Sequence, residues 1–104
     1  MTQRFKDVKS PTEKRVLTFD FSADLATGEA LAAPIAVTFE TEFGIDASPS
    51  SMANGSAALD STATQVLVPV KGGTAGVDYR VTVTVATTNA AKAPALAGIL
   101  SVRT

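Results

Sequence analysis

Apolar and polar residues alternate along much of this chain, most regularly in its C-terminal third. From Tyr79 to Val85 every second residue is apolar, and arginine or threonine stands between them. A period of two residues is typical of a β-strand that turns one face to a core and the other to water. The glycine-rich residues 71–76 come shortly before this run. The pattern therefore predicts a turn followed by a long strand that continues to residue 86 or 87.

The same alternation predicts several further strands. They are expected at residues 16–21, 35–40, 65–70 and 96–102, with a shorter one around residues 56–60. Pro34 suits the entrance of its strand, and Pro69, which cannot donate to a β-ladder, indicates an edge position or a strand end. Six or seven short strands with turn signals about every ten residues are typical of an all-β sandwich. We therefore expect one β-sandwich domain over residues 15–104.

Turn-forming residues separate these strands. Residues 22–29 predict a turn in which Gly28 adopts a positive φ and Leu25 is an inward anchor. Residues 41–55, rich in Gly, Ser, Pro and Asn, form the longest predicted loop. A long helix at the alanine-rich residues 89–97 is not expected, because Pro94 and Gly98 oppose it.

Residues 1–14 are polar and charged, with few apolar side chains, Phe5 and Val8 among them. Such a segment cannot by itself bury enough apolar surface to offset the entropy lost on ordering. We expect an extended N-terminal arm. It is either a frayed terminus or a segment that docks on a neighbouring subunit through Phe5.

Composition supports a sheet-based core. At 104 residues and 45% hydrophobic content, the chain can build one core shared by two layers. Aromatic residues make up only 6% of the chain and Trp is absent, so many small and β-branched side chains must fill that core. Side chains of this kind favour sheet over helix.

Charge and hydropathy argue against nucleic acid and membranes as partners. Nine basic and ten acidic residues give a net charge of −1, too small to draw the chain to nucleic acid or an anionic membrane. The N-terminus has no apolar signal segment, and no stretch approaches the roughly 20 apolar residues of a membrane span. We expect a soluble protein that is made in the cytoplasm and not exported by the secretory route.

Histidine and cysteine are both absent. Their absence removes disulfides, thiolate nucleophiles, imidazole bases and soft-metal sites. Ser48, Ser50 and Ser51 consequently have no histidine to activate them as nucleophiles. No catalytic, cofactor-binding or metal-binding residue is predicted, and we do not expect an enzyme.

The segment from Lys71 to Gly76 invites comparison with phosphate-binding loops, because glycine-rich backbone can present N–H groups to an anion. Here the lysine precedes the glycines and a strand follows them, whereas a phosphate loop leads into a helix. We therefore expect a bend between two strands. Tyr79, three residues after Gly76, matches the tyrosine corner of Greek-key sandwiches, in which the hydroxyl ties a loop to the strand entrance.

Eight acidic residues are candidates for metal or acid–base chemistry: Asp20, Asp24, Glu29, Glu40, Glu42, Asp46, Asp60 and Asp78. They are scattered, and none belongs to the D-x-D-x-D-G pattern of a calcium loop. A solvated acidic face is the favoured interpretation, since carboxylates usually stay in water. The alternative is a weak calcium site in the loop of Asp24 and Glu29, or in that of Glu40, Glu42 and Asp46.

Two segments resemble a known family. Residues 19–31 resemble the D-(W/F)-S-x-x-L-x-x-G-(D/E)-x-(L/I) opening of short structural proteins of tailed bacteriophages, with Phe21 where Trp is frequent. Residues 70–82 resemble the V-x-G-G-x-x-G-x-x-Y-x-(L/V)-T segment of the same proteins. The lead-in Phe5-Lys6-Asp7 also has a counterpart, so the resemblance spans roughly residues 5–102.

The resemblance implies a fold and a role. Members of this family are similar to immunoglobulin-like or fibronectin-type-III-like sandwiches and are described as tail-fibre adaptor or neck-associated virion proteins. It thus implies an antiparallel sandwich of about seven strands and brings no catalytic residue with it. Because one sandwich fold hosts many functions, the place in a particle is inferred by analogy.

From these observations we expect a non-enzymatic virion protein that assembles in repeated copies at the tail or neck as an adaptor for other virion proteins. Covering the open edges of a sandwich is one reason for such repeated assembly. One alternative is a capsid decoration or head-fibre protein. Another is a carbohydrate- or calcium-binding module, which the lack of Trp disfavours because sugars stack on aromatic rings.

Overall fold

The structure, a computed structural model, describes residues 2–4 and 9–103, the first three by their backbone alone. Two short 3₁₀ helices, Ser22–Asp24 and Pro49–Met52, lie in the connections. The strands are β1 (Thr2–Arg4), β2 (Arg15–Asp20), β3 (Leu31–Phe43), β4 (Ala58–Leu59), β5 (Gln65–Val70), β6 (Asp78–Thr87) and β7 (Ala95–Ser101). In the described residues no helix is long and apolar enough to cross a membrane.

These strands form two sheets that pack face to face. One sheet has the order β1-β7-β6-β3 and the other the order β2-β5-β4. All neighbours are antiparallel except β1, which runs parallel to β7. In the immunoglobulin fold the corresponding orders are C-F-G and B-E-D, so the predicted all-β sandwich is confirmed.

Period-two alternation places one face of each sheet in the core. Along β5 the buried and half-buried residues alternate without interruption, and β6 alternates in the same way over most of its length. The buried hydrophobic side chains are Leu17, Phe19, Phe21, Leu31, Met52, Val66, Val68, Val70, Val77, Tyr79, Val81, Val83, Val85, Ile99, Leu100 and Val102. Eight of these sixteen side chains are valines, which pack with the rings of Phe19, Phe21 and Tyr79 in one core.

Strand β3 is longer than its alternation predicts. It begins at Leu31 and ends at Phe43, and Pro34 lies within it instead of at its entrance. A register shift between Ala32 and Ile35 surrounds the proline, so the ladder with β6 does not need a donor there. Pro69 is the last residue but one of β5, and its carbonyl accepts a hydrogen bond from the Asn54 amide. Its predicted position at a strand end is confirmed.

The connecting loops follow the turn signals in part. Gly28 has a φ of +81°, as predicted, and Leu25 packs half-buried against the core. Residues 89–94 form a turn instead of a helix. The long loop after β3 is mostly polar, but its Met52 is fully buried and packs into the core.

Two described parts of the N-terminal segment lie along the last strand. Thr2–Arg4 pairs with residues 97–99 of β7, and Lys9 bridges to Val102 beyond its end. The Lys9 side chain is buried, and its ammonium donates hydrogen bonds to the carbonyl oxygens of Gly72 (2.5 Å) and Ser10 (2.8 Å). Burial lowers the pKa of this ammonium. Phe5 lies outside the described residues, so docking through it stays a prediction.

The connection from β5 to β6 carries the chain from one sheet to the other. Gly73 has a φ of +97° within it, and a Cβ atom there would lie 2.9 Å from Cγ2 of Val102. Val102 is fully buried and β-branched, so it cannot move aside easily. The backbone approaches the core here as closely as a glycine allows.

We expect Gly73→Ala to destabilise the protein more than Gly76→Ala. Both residues have a positive φ, +97° and +89°, so both substitutions strain the backbone, but no atom lies within 4 Å of a Cβ at residue 76. The additional steric contact at residue 73 is expected to cost about 1–3 kcal/mol, as for other overpacked cores. Urea unfolding of the two variants measures the difference. Equal losses of stability would show that the approach to Val102 is unimportant.

Candidate functional site

One lateral side of the sandwich is open. Strand β3 is the edge of the four-stranded sheet, and β4, with only two residues, is the facing edge of the other sheet. Between them lies a groove of about 360 Å³. The opposite side of the sandwich differs, because β1 and Lys9 lie along β7 there.

Uncharged residues line this groove throughout. Its wall on β3 consists of Ile35, Val37 and Phe39, which point inward but remain half-buried. Its other lining residues are Ala33, Ala53, Gly55, Ser56, Ala57, Val68 and Pro69. We call this set the groove. In the described chain no strand pairs with the outer edge of β3, so backbone donors and acceptors border the groove.

An exposed apolar pair lies at the end of β3. The side chain of Phe43 is 68% exposed and that of Ile45 is 88% exposed. We call these two residues the apolar tip. Gly44 between them has a φ of +94°, and a Cβ there would lie 3.0 Å from Cγ2 of Val77. The backbone of the tip therefore rests closely on the chain that enters β6.

A hydrogen-bond chain holds the other side of the tip. The Thr74 amide donates to the Tyr79 hydroxyl (2.8 Å), and that hydroxyl donates to Oδ2 of Asp46 (2.5 Å). Oδ1 of Asp46 accepts a hydrogen bond from the Ser48 amide (2.9 Å). Tyr79 thus ties the glycine-rich connection to the loop after β3. Its predicted role as a structural corner is confirmed, whereas its partner Asp46 was not foreseen.

The pKa values of this pair reflect the bond between them. The hydrogen bond from the Tyr79 hydroxyl, followed by that from the Ser48 amide, lowers the pKa of the Asp46 carboxyl. Burial raises the pKa of Tyr79, and the bond to Asp46 raises it further. At neutral pH the tyrosine is therefore a neutral donor and the aspartate an ionised acceptor.

The glycine-rich connection, residues 71–76, does not have the geometry of a phosphate-binding loop. The N–H groups of Lys71, Thr74 and Gly76 donate to the Met52 carbonyl, the Tyr79 hydroxyl and the Val102 carbonyl, respectively. Strand β6 follows, and no helix begins there. These donors hold the protein together, as expected for a bend between two strands.

The acidic candidates are spread over the molecule. Asp20 and Asp60 accept hydrogen bonds from nearby backbone amides, Asp78 pairs with Arg103, and Asp24 and Glu40 are exposed. Among the described residues no three acidic side chains cluster as a metal site would require. Ser48, Ser50 and Ser51 are exposed in and beside the 3₁₀ helix Pro49–Met52.

The basic side chains of Lys92 and Arg80 contact the two loops that were considered as calcium sites. The Lys92 ammonium donates to Glu29 (2.7 Å) and to the backbone carbonyl of Asp24, and this contact lowers the pKa of Glu29. Glu42 accepts from Arg80 at 2.6 Å. The carboxylates of Glu29, Glu42 and Asp46 thus serve the protein's own hydrogen-bonding network.

Comparison with known proteins identifies a family. A family model described as the podophage GP4 fiber-tail adaptor protein gp77 matches residues 9–93. Because this match covers most of the 104 residues, the chain belongs to that family. No curated protein and no solved structure matches the chain.

Tyr79→Phe is expected to lower the free energy of unfolding by about 1 kcal/mol at neutral pH, because the Thr74 amide and Asp46 lose their shared partner. The pKa of Asp46 is lowered in the folded state, so its stabilising effect is present above its unfolded pKa and is lost as the pH falls through the folded value. The difference between wild type and variant should therefore shrink below about pH 4.

Urea unfolding at a series of pH values measures this difference, with Asp46→Asn as the control. The asparagine keeps an acceptor oxygen but does not ionise in this range, so Tyr79→Phe in that background should have an effect that does not change with pH. A wild-type difference that stays constant down to about pH 2 would contradict the assigned bond.

Proposed function

We propose that this protein is a non-enzymatic structural component of the virion that joins tail fibres to the tail of a short-tailed bacteriophage, in repeated copies. The observation that carries the proposal is the match of residues 9–93 to a fibre-tail adaptor family. Its partners are then other virion proteins, and its place is the assembled particle.

The architecture suits a protein that binds other proteins. Among the described residues, an uncharged groove lies beside a strand edge that no other strand covers. Strand edges and apolar grooves accept extended segments or apolar side chains of a partner. The chain also contains no histidine or cysteine, the residue types on which many catalytic mechanisms depend.

Particles that lack this protein are expected to have DNA-filled heads and tails but no attached fibres. The test is an amber mutation in its gene, with negative-stain microscopy and mass spectrometry of the particles formed in a non-suppressing host. Adding the purified protein to these particles, together with the fibre protein, should restore fibres and infectivity. A Val16→Ser protein serves as a matched control, because Val16 is exposed on β2, outside both the groove and the apolar tip.

Two results would contradict the proposal. Fibres that remain attached to the tail without this protein would exclude the adaptor role. Loss of a protein only from the head surface, with tail fibres intact, would instead support the capsid decoration role.

A further inference from the structure

Two apolar features of this molecule are left uncovered by the part of the chain that the structure describes. One is convex: the apolar tip of Phe43 and Ile45, exposed by 68% and 88%. The other is concave: the groove between β3 and β4. Single exposed apolar residues are common on protein surfaces, but an exposed pair and a groove on the same molecule point to an interaction.

The two features agree in size. The groove has a volume of about 360 Å³, within the range of pockets that accept small ligands. One or two large apolar side chains fit the same space. Phe43 and Ile45 are such side chains, and they are both exposed and separated by one residue.

The two features also agree in charge. Of the residues that the structure describes, none with a charge lines the groove. The carboxylates beside the tip, Glu42 and Asp46, already bind Arg80 and the Tyr79 hydroxyl within their own chain. Insertion of the tip therefore removes no unpaired charge from water, which would otherwise oppose the contact. A net charge of −1 also adds little repulsion between copies.

The tip is held in place before any contact forms. Gly44 rests against Val77 on one side of Ile45, and Asp46 is bound to Tyr79 on the other. A backbone held in this way loses little further conformational entropy on binding, which favours association.

We propose that the apolar tip of one copy inserts into the groove of a second copy of this chain. The proposal rests on the proposed function, in which the protein acts in repeated copies, and it supplies the contact between those copies. Tip and groove are different surfaces, so the contact runs head to tail. Such contacts generate rings when the rotation between copies closes, and open chains when it does not.

Removing the tip should weaken self-association of the purified protein. Phe43→Ser combined with Ile45→Ser changes only exposed side chains, so folding should be retained, and we expect association to weaken about tenfold to a hundredfold. The matched control is Val16→Ser, which changes a side chain that is 57% exposed on β2, outside both features. Sedimentation equilibrium from about 1 μM to about 1 mM measures the association of each protein.

A charge in the groove should have the same effect. Val37→Lys places an ammonium in the groove wall, and Ala33→Lys is a second variant at an exposed lining position where folding is safer. Circular dichroism and urea unfolding establish that each variant is folded.

Mixing the two kinds of variant gives the sharpest result. The tip variant keeps an intact groove and the groove variant keeps an intact tip, so an equimolar mixture should form dimers and nothing larger. A strictly monomeric wild type, a tip variant that associates like wild type, or a mixture that remains monomeric would overturn the proposal. Failure here would leave the adaptor role intact if particles without the protein still lack fibres.

Discussion

The packing of two alternating apolar faces determines most of this structure. Strands β5 and β6 contribute about every second side chain to the space between the sheets, and half of the buried hydrophobic side chains are valines. Because these side chains are small and β-branched, the sheets must pack closely to exclude water. The close approach of Gly73 to Val102 is a local consequence of that packing. So is the burial of Met52, which fills the end of the core where the long loop crosses it.

The same construction leaves one side of the sandwich unfinished. Strand β4 has two residues, whereas β3 across from it has thirteen, so the inward face of β3 extends beyond its cover. Ile35, Val37 and Phe39 therefore line a groove instead of a closed core. On the other side β1 and Lys9 lie along β7. Within the described ranges, further chain thus lies along one side of the sandwich, while no strand pairs with the edge of β3 on the other, as expected of a protein that binds others.

How far the sequence predicts this arrangement depends on the range of the interactions involved. The bounds of β5 and β6 follow from strict alternation, and the corner at Tyr79 follows from its position after Gly76. The start of β3 at Leu31 does not follow from alternation, because residues 31–34 do not alternate between apolar and polar and include a proline.

The features that shape the candidate site depend on long-range contacts. Asp46 is 33 residues from Tyr79, and Lys9 is 63 residues from Gly72. The groove depends on how short β4 is, which the weak pattern around residues 56–60 does not determine. The family assignment needed no such detail, since the motifs around Phe21 and Tyr79 pointed to the family that the match at residues 9–93 identifies.

A reconstruction of the phage tail tests the proposed adaptor role most directly. We expect copies of this sandwich between tail and fibre. Copies located only on the head surface would contradict the adaptor role.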